Sequence, residues 1–215
     1  MAKLFKFILI AVLAISILVA CSFLSNHNQS PSNKLLTEIT PLPTVPNIDP
    51  KIIDPESTPD APYLQTPQEA VIKMLDMAKV KRSDLVYDLG SGDGRIVIAA
   101  AQKIGVKAIG IEIDPELIRE SNRELKSAIA QTPKIQDQIK FIKQDLFKTD
   151  LGDANVIILY LLPQANLRVR SEILPKLKSG TRVVSYEYDL GDLPPNQVEK
   201  IKIGDREHTI YLWIL

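Results

Sequence analysis

The stretch VYDLGSGDGRIVIAAA, Val86 to Ala101, constrains the fold more than any other part of the chain. It reads as a buried strand, a glycine turn and a helix. Gly90, Ser91, Gly92, Asp93 and Gly94 make the turn, whose glycines let backbone approach a ligand closely. The helix that follows offers unpaired N–H groups at its start. The same geometry binds dinucleotides when the turn reads Gly-x-Gly-x-x-Gly. Here the spacing is Gly-x-Gly-x-Gly, Asp88 ends the strand and Asp93 lies inside the turn. Carboxylates at close range repel a pyrophosphate in a partly dry site. They suit a ligand with a positive end and no phosphate.

Around this unit strands and helices alternate. Apolar, β-branched runs predict strands at Leu85–Leu89, Ala108–Ile113, Ile139–Lys143, Val156–Leu161 and Arg182–Tyr188. Helical periodicity fits Arg95–Lys103, Pro115–Ile129 and Gln164–Leu177. An earlier helix follows Thr66, with Thr66 as cap, Pro67 at the first helical position and Glu69 at capping-box spacing. Two more strands, Val198–Ile203 and His208–Ile214, flank a turn at Gly204 and Asp205. The fold class is therefore α/β: a Rossmann-like, doubly wound sheet, mostly parallel, with an antiparallel C-terminal strand pair.

The second strand carries "AIGIEIDPEL". Glu112 stands where an acid can accept from both hydroxyls of a ribose, and Asp114 before Pro115 reads as a helix cap. Asp145, after the third strand, either receives an adenine amino group or caps a turn. S-adenosylmethionine, an adenosine with a sulfonium and an ammonium, matches this set of acids. "DLGSGDGR" together with "GIEIDPE" resembles the class I, seven-stranded, S-adenosylmethionine-dependent methyltransferases over Tyr63 to Leu215. The closer likeness is to the small protein-lysine methyltransferases of mitochondria and their bacterial relatives, some of which modify inner-membrane proteins. It rests on Tyr63, Thr66 and Pro67, on Asp88 to Val97 and on Leu159 to Pro163. The resemblance implies S-adenosylmethionine as co-substrate, held by Asp88, Gly90, Ser91, Gly92, Gly94, Glu112 and Asp145. It implies a protein substrate, met by Tyr63, Thr66, Pro67, Leu161 and Pro163.

Tyr160 is the candidate catalytic residue, at the strand edge where such folds bind ligands; a core tyrosine is the alternative. Glu187 and Asp189 flank the same edge and either steer an ammonium or sit in a solvated loop. His208 reads as a polar residue near a strand start. The Asn/Asp-Pro-Pro-Tyr motif of many amino methyltransferases is absent, which leaves the acceptor open. The readings are a protein-lysine methyltransferase, a methyltransferase for a small molecule or lipid headgroup, and a non-catalytic S-adenosylmethionine-binding module.

Residues 1–24 carry Lys3 and Lys6 before an apolar run from Phe7 to Ala20. That is a signal or anchor pattern, and "LVAC", ending at Cys21, resembles the lipobox of bacterial lipoproteins. Residues 25–62 are rich in Pro, Ser, Asn and Thr and read as a tether. The expected protein is membrane-associated through its N-terminus, with the side open: the leading lysines place the domain outside the cytoplasm, whereas S-adenosylmethionine is made inside. Residues 63–215 form the catalytic domain. Lys+Arg and Asp+Glu balance at 26 each, so no nucleic-acid partner is expected. One cysteine and two histidines exclude an intrachain disulfide and give no metal constellation.

Overall fold

The computed structural model describes residues 64–215. Tyr63, the tether and the lipoprotein-like segment lie outside them. The described chain forms α1 (Gln68–Met77), β1 (Leu85–Leu89), α2 (Arg95–Ile104), β2 (Lys107–Glu112), α3 (Pro115–Gln131), β3 (Ile139–Lys143), β4 (Val156–Leu159), α4 (Pro163–Arg168), β5 (Arg182–Tyr186), β6 (Gln197–Ile203) and β7 (Arg206–Ile214). The seven strands run in the order β3-β2-β1-β4-β5-β7-β6. β1 to β5 are parallel, and β7 joins β5 and β6 antiparallel. This is the expected doubly wound sheet.

Side chains alternate across a strand, so β1 feeds two cores. Val86 packs with α1, α2 and the β5 and β7 residues Val184, Tyr186 and Ile210 on one face. Tyr87 and Leu89 pack on the other with Ile111, Ile157, Val169, Ile173 and Trp213. β4 is wholly buried, as a central parallel strand covered on both faces must be. Each of its four side chains contributes about 1.5–3 kcal/mol through burial. Asp88 shares the face of Val86, a carboxylate placed by strand parity among apolar neighbours.

Three local expectations differ from the structure. Pro67, not Thr66, is the N-cap of α1, and no side chain caps that end. Thr66 is instead buried, and its carbonyl is taken by Arg95. The helix expected over Gln164–Leu177 is α only to Arg168, then loosens to a π turn over Val169–Ile173 and tightens to a 3-10 turn over Leu174–Lys176. Pro175 explains the change: it has no N–H to give the preceding turn, and its ring strikes that turn's carbonyl. Finally β4 and β5 stop early, at Leu159 and Tyr186, which frees Tyr160–Leu162 and Glu187–Asp189 as loops.

Candidate active site

β2 and β4 lie on opposite sides of β1, so the chain changes direction beside β1. Connections leaving adjacent strand ends in opposite directions open a crevice there. The structure has a cavity of about 1100 Å³ at this point, large enough for a nucleoside-sized ligand. Its floor is the Gly90–Gly94 turn. Gly90 takes φ +79, and a Cβ there would stand 2.9 Å from Leu161 Cδ2. Gly94 takes φ +81, and a Cβ there would stand 2.3 Å from Phe141 Cζ. The floor can lie this low only because both are glycine.

Asp88 lines the cavity and is 2% exposed. Its Oδ2 is buried and has no hydrogen-bond partner, and neither has Oγ of Ser91 beside it. Burial, then the charges of Glu112 and Asp93, push the Asp88 carboxyl up to about 8. Two orphaned polar atoms in one cavity mark a place built for a polar ligand. Glu112, also buried, is organised by the backbone. Its Oε2 accepts from the Gly92 N–H at 2.9 Å, and Oε1 accepts from the Ile113 and Asp114 N–H groups at 2.8 and 3.0 Å. Both lone pairs of Oε1 are thus engaged, and Oε2 keeps its second lone pair for a ligand hydroxyl. Asp114 caps α3 through the Glu116 N–H at 2.7 Å, as its place before Pro115 suggests.

Asp93 does not face a ligand alone. Its carboxylate binds the Arg95 guanidinium through Oδ1 and Oδ2, and Arg95 Nη1 donates to the Thr66 carbonyl at 3.1 Å. Asp88 and Glu112 are therefore the buried acids left to face a ligand. Asp145 lines the cavity and also caps the turn Leu146–Lys148, its Oδ1 accepting from the Phe147 N–H at 2.9 Å. Next to it the Arg168 guanidinium lies over the Phe147 ring at 3.7 Å.

Tyr160 lines the cavity at the end of β4, and its ring meets Tyr186 edge-on with centroids 4.8 Å apart. Burial, then Glu187 and Tyr188, raise its phenol above the ordinary value, so it stays protonated and cannot serve as a base. Leu161 and Thr66 line the cavity too. Gly92 serves through its N–H, Gly94 faces Phe141, Pro67 heads α1 and Pro163 heads α4; none of these four lines the cavity. Sequence reasoning missed Arg95, Phe147, Arg168 and Tyr186. His208 lies near the start of β7 as expected, but it is 8% exposed and sits 2.7 Å from the Tyr186 hydroxyl, a contact the sequence did not suggest. Only the β5–β7 register, which pairs Tyr186 with Ile210, brings those two together.

Residues 88–197 match the ANTKMT methyltransferase domain. The chain is similar to a protein-lysine N-methyltransferase of Saccharolobus islandicus, 39% identical over 73% of this chain and 95% of that one. It is also similar to the adenine nucleotide translocase lysine N-methyltransferase of Mus musculus, 30% identical over 62% of this chain and 56% of the mouse protein. The chain thus spans little more than half of that mouse relative. Among solved structures it is similar to an RNA methyltransferase from Salinibacter ruber in complex with S-adenosyl-L-homocysteine. That match has 39% identity and a TM-score of 0.63, and covers 70% of this chain and 93% of the other.

Proposed function

The chain belongs to the ANTKMT methyltransferase domain family and is an S-adenosylmethionine-dependent methyltransferase, and from that premise we propose that its acceptor is a lysine side chain of a protein. The co-substrate supplies an electrophilic methyl group on a cationic sulfur. The residues present fit it: Oδ2 of the buried Asp88 has no hydrogen-bond partner, which suits a ligand that brings positive charge. Asp88 and Ser91 would hold the cationic end, Glu112 a ribose hydroxyl, and Asp145 with Phe147 the base. Gly90 gives the close floor, Gly92 holds Glu112 through its N–H, and Gly94 supports the turn from behind.

The observation that carries the lysine reading is the Saccharolobus relative, matched along nearly its whole length. The site supports it chemically. The Tyr160 hydroxyl has no hydrogen-bond partner among the described residues, and as a neutral phenol it can accept from an amine N–H. The amine loses one proton to solvent before transfer, its lone pair forms the new N–C bond, and the old bond pair stays on sulfur. The chain's own part is to align the amine and shut out water. Leu161, packed against Gly90, contributes an apolar wall to that end.

The Salinibacter relative favours a second reading, an RNA acceptor. Lys143, Lys148 and Arg168 around the cavity would suit it, while the balanced charge of the chain opposes it. Incubation of the purified protein with methyl-labelled S-adenosylmethionine, poly-L-lysine and bulk RNA separates the two. Methyl-lysine in the hydrolysate supports the first; label in RNA alone overturns it. The apolar, Lys-led N-terminus further supports a membrane-tethered enzyme acting on a membrane protein. A reporter fused after Leu215 that works only in the cytoplasm would exclude export of the domain.

A further inference from the structure

Behind Tyr160 lies a polar cluster that the transfer described above does not use. The Tyr186 ring stacks on His208 at 5.6 Å, and its hydroxyl lies 2.7 Å from His208 Nδ1. The same nitrogen meets Glu187 Oε1 at 2.5 Å. Tyr160, Tyr186, His208 and Glu187 thus run in contact from the cavity wall to the far side of β5.

Glu187 adopts φ +67, a left-handed conformation that a residue with a Cβ adopts only when its surroundings impose it. They do so here. The Glu187 N–H donates to the Thr209 carbonyl at 2.8 Å and the Tyr188 N–H to the Tyr186 carbonyl at 2.9 Å. The buried Asn166 amide on α4 donates to the Tyr188 and Asp189 carbonyls at 3.1 and 3.0 Å. The second acid at this edge is differently employed: Asp189 Oδ1 accepts from the Gly191 N–H at 3.0 Å and closes a turn. Of the two, only Glu187 turns toward the tyrosines. Strained backbone of this kind concentrates where a side chain must point a particular way.

We propose that Glu187, held against His208, is the anionic positioning residue of the acceptor site, drawing a cationic amine to Tyr160 at the end of β4. The Glu187 side chain is 23% exposed, so its carboxylate is only partly screened. Its field reaches the Tyr160 phenol, which it helps to keep protonated. Glu187 takes no proton in the transfer; it raises the local concentration of a positive acceptor and disfavours a negative one. The inference rests on the lysine reading above.

The test uses the full chain, poly-L-lysine and labelled S-adenosylmethionine. Glu187→Gln keeps the shape and removes the charge; it should raise KM for poly-L-lysine about fivefold, the size of one screened charge some way off. Its kcat and its affinity for S-adenosylhomocysteine should stay within about twofold of wild type on the same reasoning. Glu187→Gly, which suits φ +67, should raise KM equally without lowering the melting temperature. Asp189→Asn removes the same charge nearby and should leave KM unchanged. Equal KM values in wild type and both Glu187 variants would overturn the proposal while leaving the lysine reading intact. So would a joint fall of kcat and melting temperature in both variants, the mark of a merely structural residue. Absence of methyl-lysine with wild type would overturn the lysine reading itself.

Discussion

Asp88 should release a proton when S-adenosylmethionine binds. Its carboxyl sits at about 8 in the folded chain, against an ordinary 3.8. At pH 7 a group titrating at about 8 is about 0.9 protonated. A cation placed beside it favours the carboxylate, so binding should expel close to one proton. Calorimetric titrations at pH 7 in phosphate and in Tris would read this as a difference in apparent enthalpy proportional to the protons released. Affinity should rise up to about tenfold per pH unit between pH 5.5 and 7. The same shift destabilises the free enzyme. A folded pKa raised above the unfolded value means that stability is full below pH 3.8 and falls until the pH passes about 8. The loss is about 1.4 kcal/mol per pH unit, or about 4 kcal/mol at pH 7. Asp88→Asn should therefore melt on the order of 10 °C higher at pH 7, match wild type near pH 3.8 and bind S-adenosylmethionine poorly. Zero proton release, or an Asn variant no more stable than wild type at pH 7, would refute the argument.

Gly94→Ala should destabilise by about 2–4 kcal/mol in urea unfolding, because the new methyl group meets Phe141 and the backbone has φ +81; Phe141→Leu in the same chain should recover part of the loss. Arg182 joins Asp84 at 2.8 Å and also bonds the carbonyls of Ala78 and Lys79 that end α1. Arg182→Met leaves the buried Asp84 with only the Lys81 N–H as partner and without a counter-charge, and should cost about 3 kcal/mol, with Asp84→Leu beside it restoring part of that. Tyr160→Phe keeps the ring contact with Tyr186 and removes one hydrogen bond; kcat/KM for the lysine acceptor should fall about tenfold with no change in melting temperature.

The elements that the sequence showed best are those dictated by local chemistry. Buried parallel strands read as continuous apolar runs, and β1 and β3 fall on their expected limits. The Asp114–Pro115 start of α3 is a two-residue signal. The glycine turn announced the cavity because few uses exist for such backbone. What escaped depends on pairings between distant residues. Arg95 looks like helix surface in the sequence, yet it spans from Asp93 to the carbonyl of Thr66. The Asp93 charge, which in the sequence counts against a pyrophosphate, is thereby engaged by its own neighbour. His208 was invisible as a site neighbour because β7 runs antiparallel into β5, a register no local pattern specifies. The break in the helix after Arg168 was legible in principle, since Pro175 stands inside it, but helical periodicity outweighed it.

Trp213 gives the molecule a built-in reporter. It is the chain's single tryptophan, 2% exposed in β7, with its indole N–H donating to the Leu193 carbonyl at 3.0 Å and its ring stacked on Tyr211. It takes no part in the cavity wall. Excited near 295 nm, the protein should emit from one rigid, dry place at the β5–β7 junction. Unfolding would shift that emission to the red, whereas filling the cavity would leave it nearly unchanged. Fluorescence melts of variants altered around Asp88 or Glu187 can therefore be compared directly, without a contribution from ligand quenching.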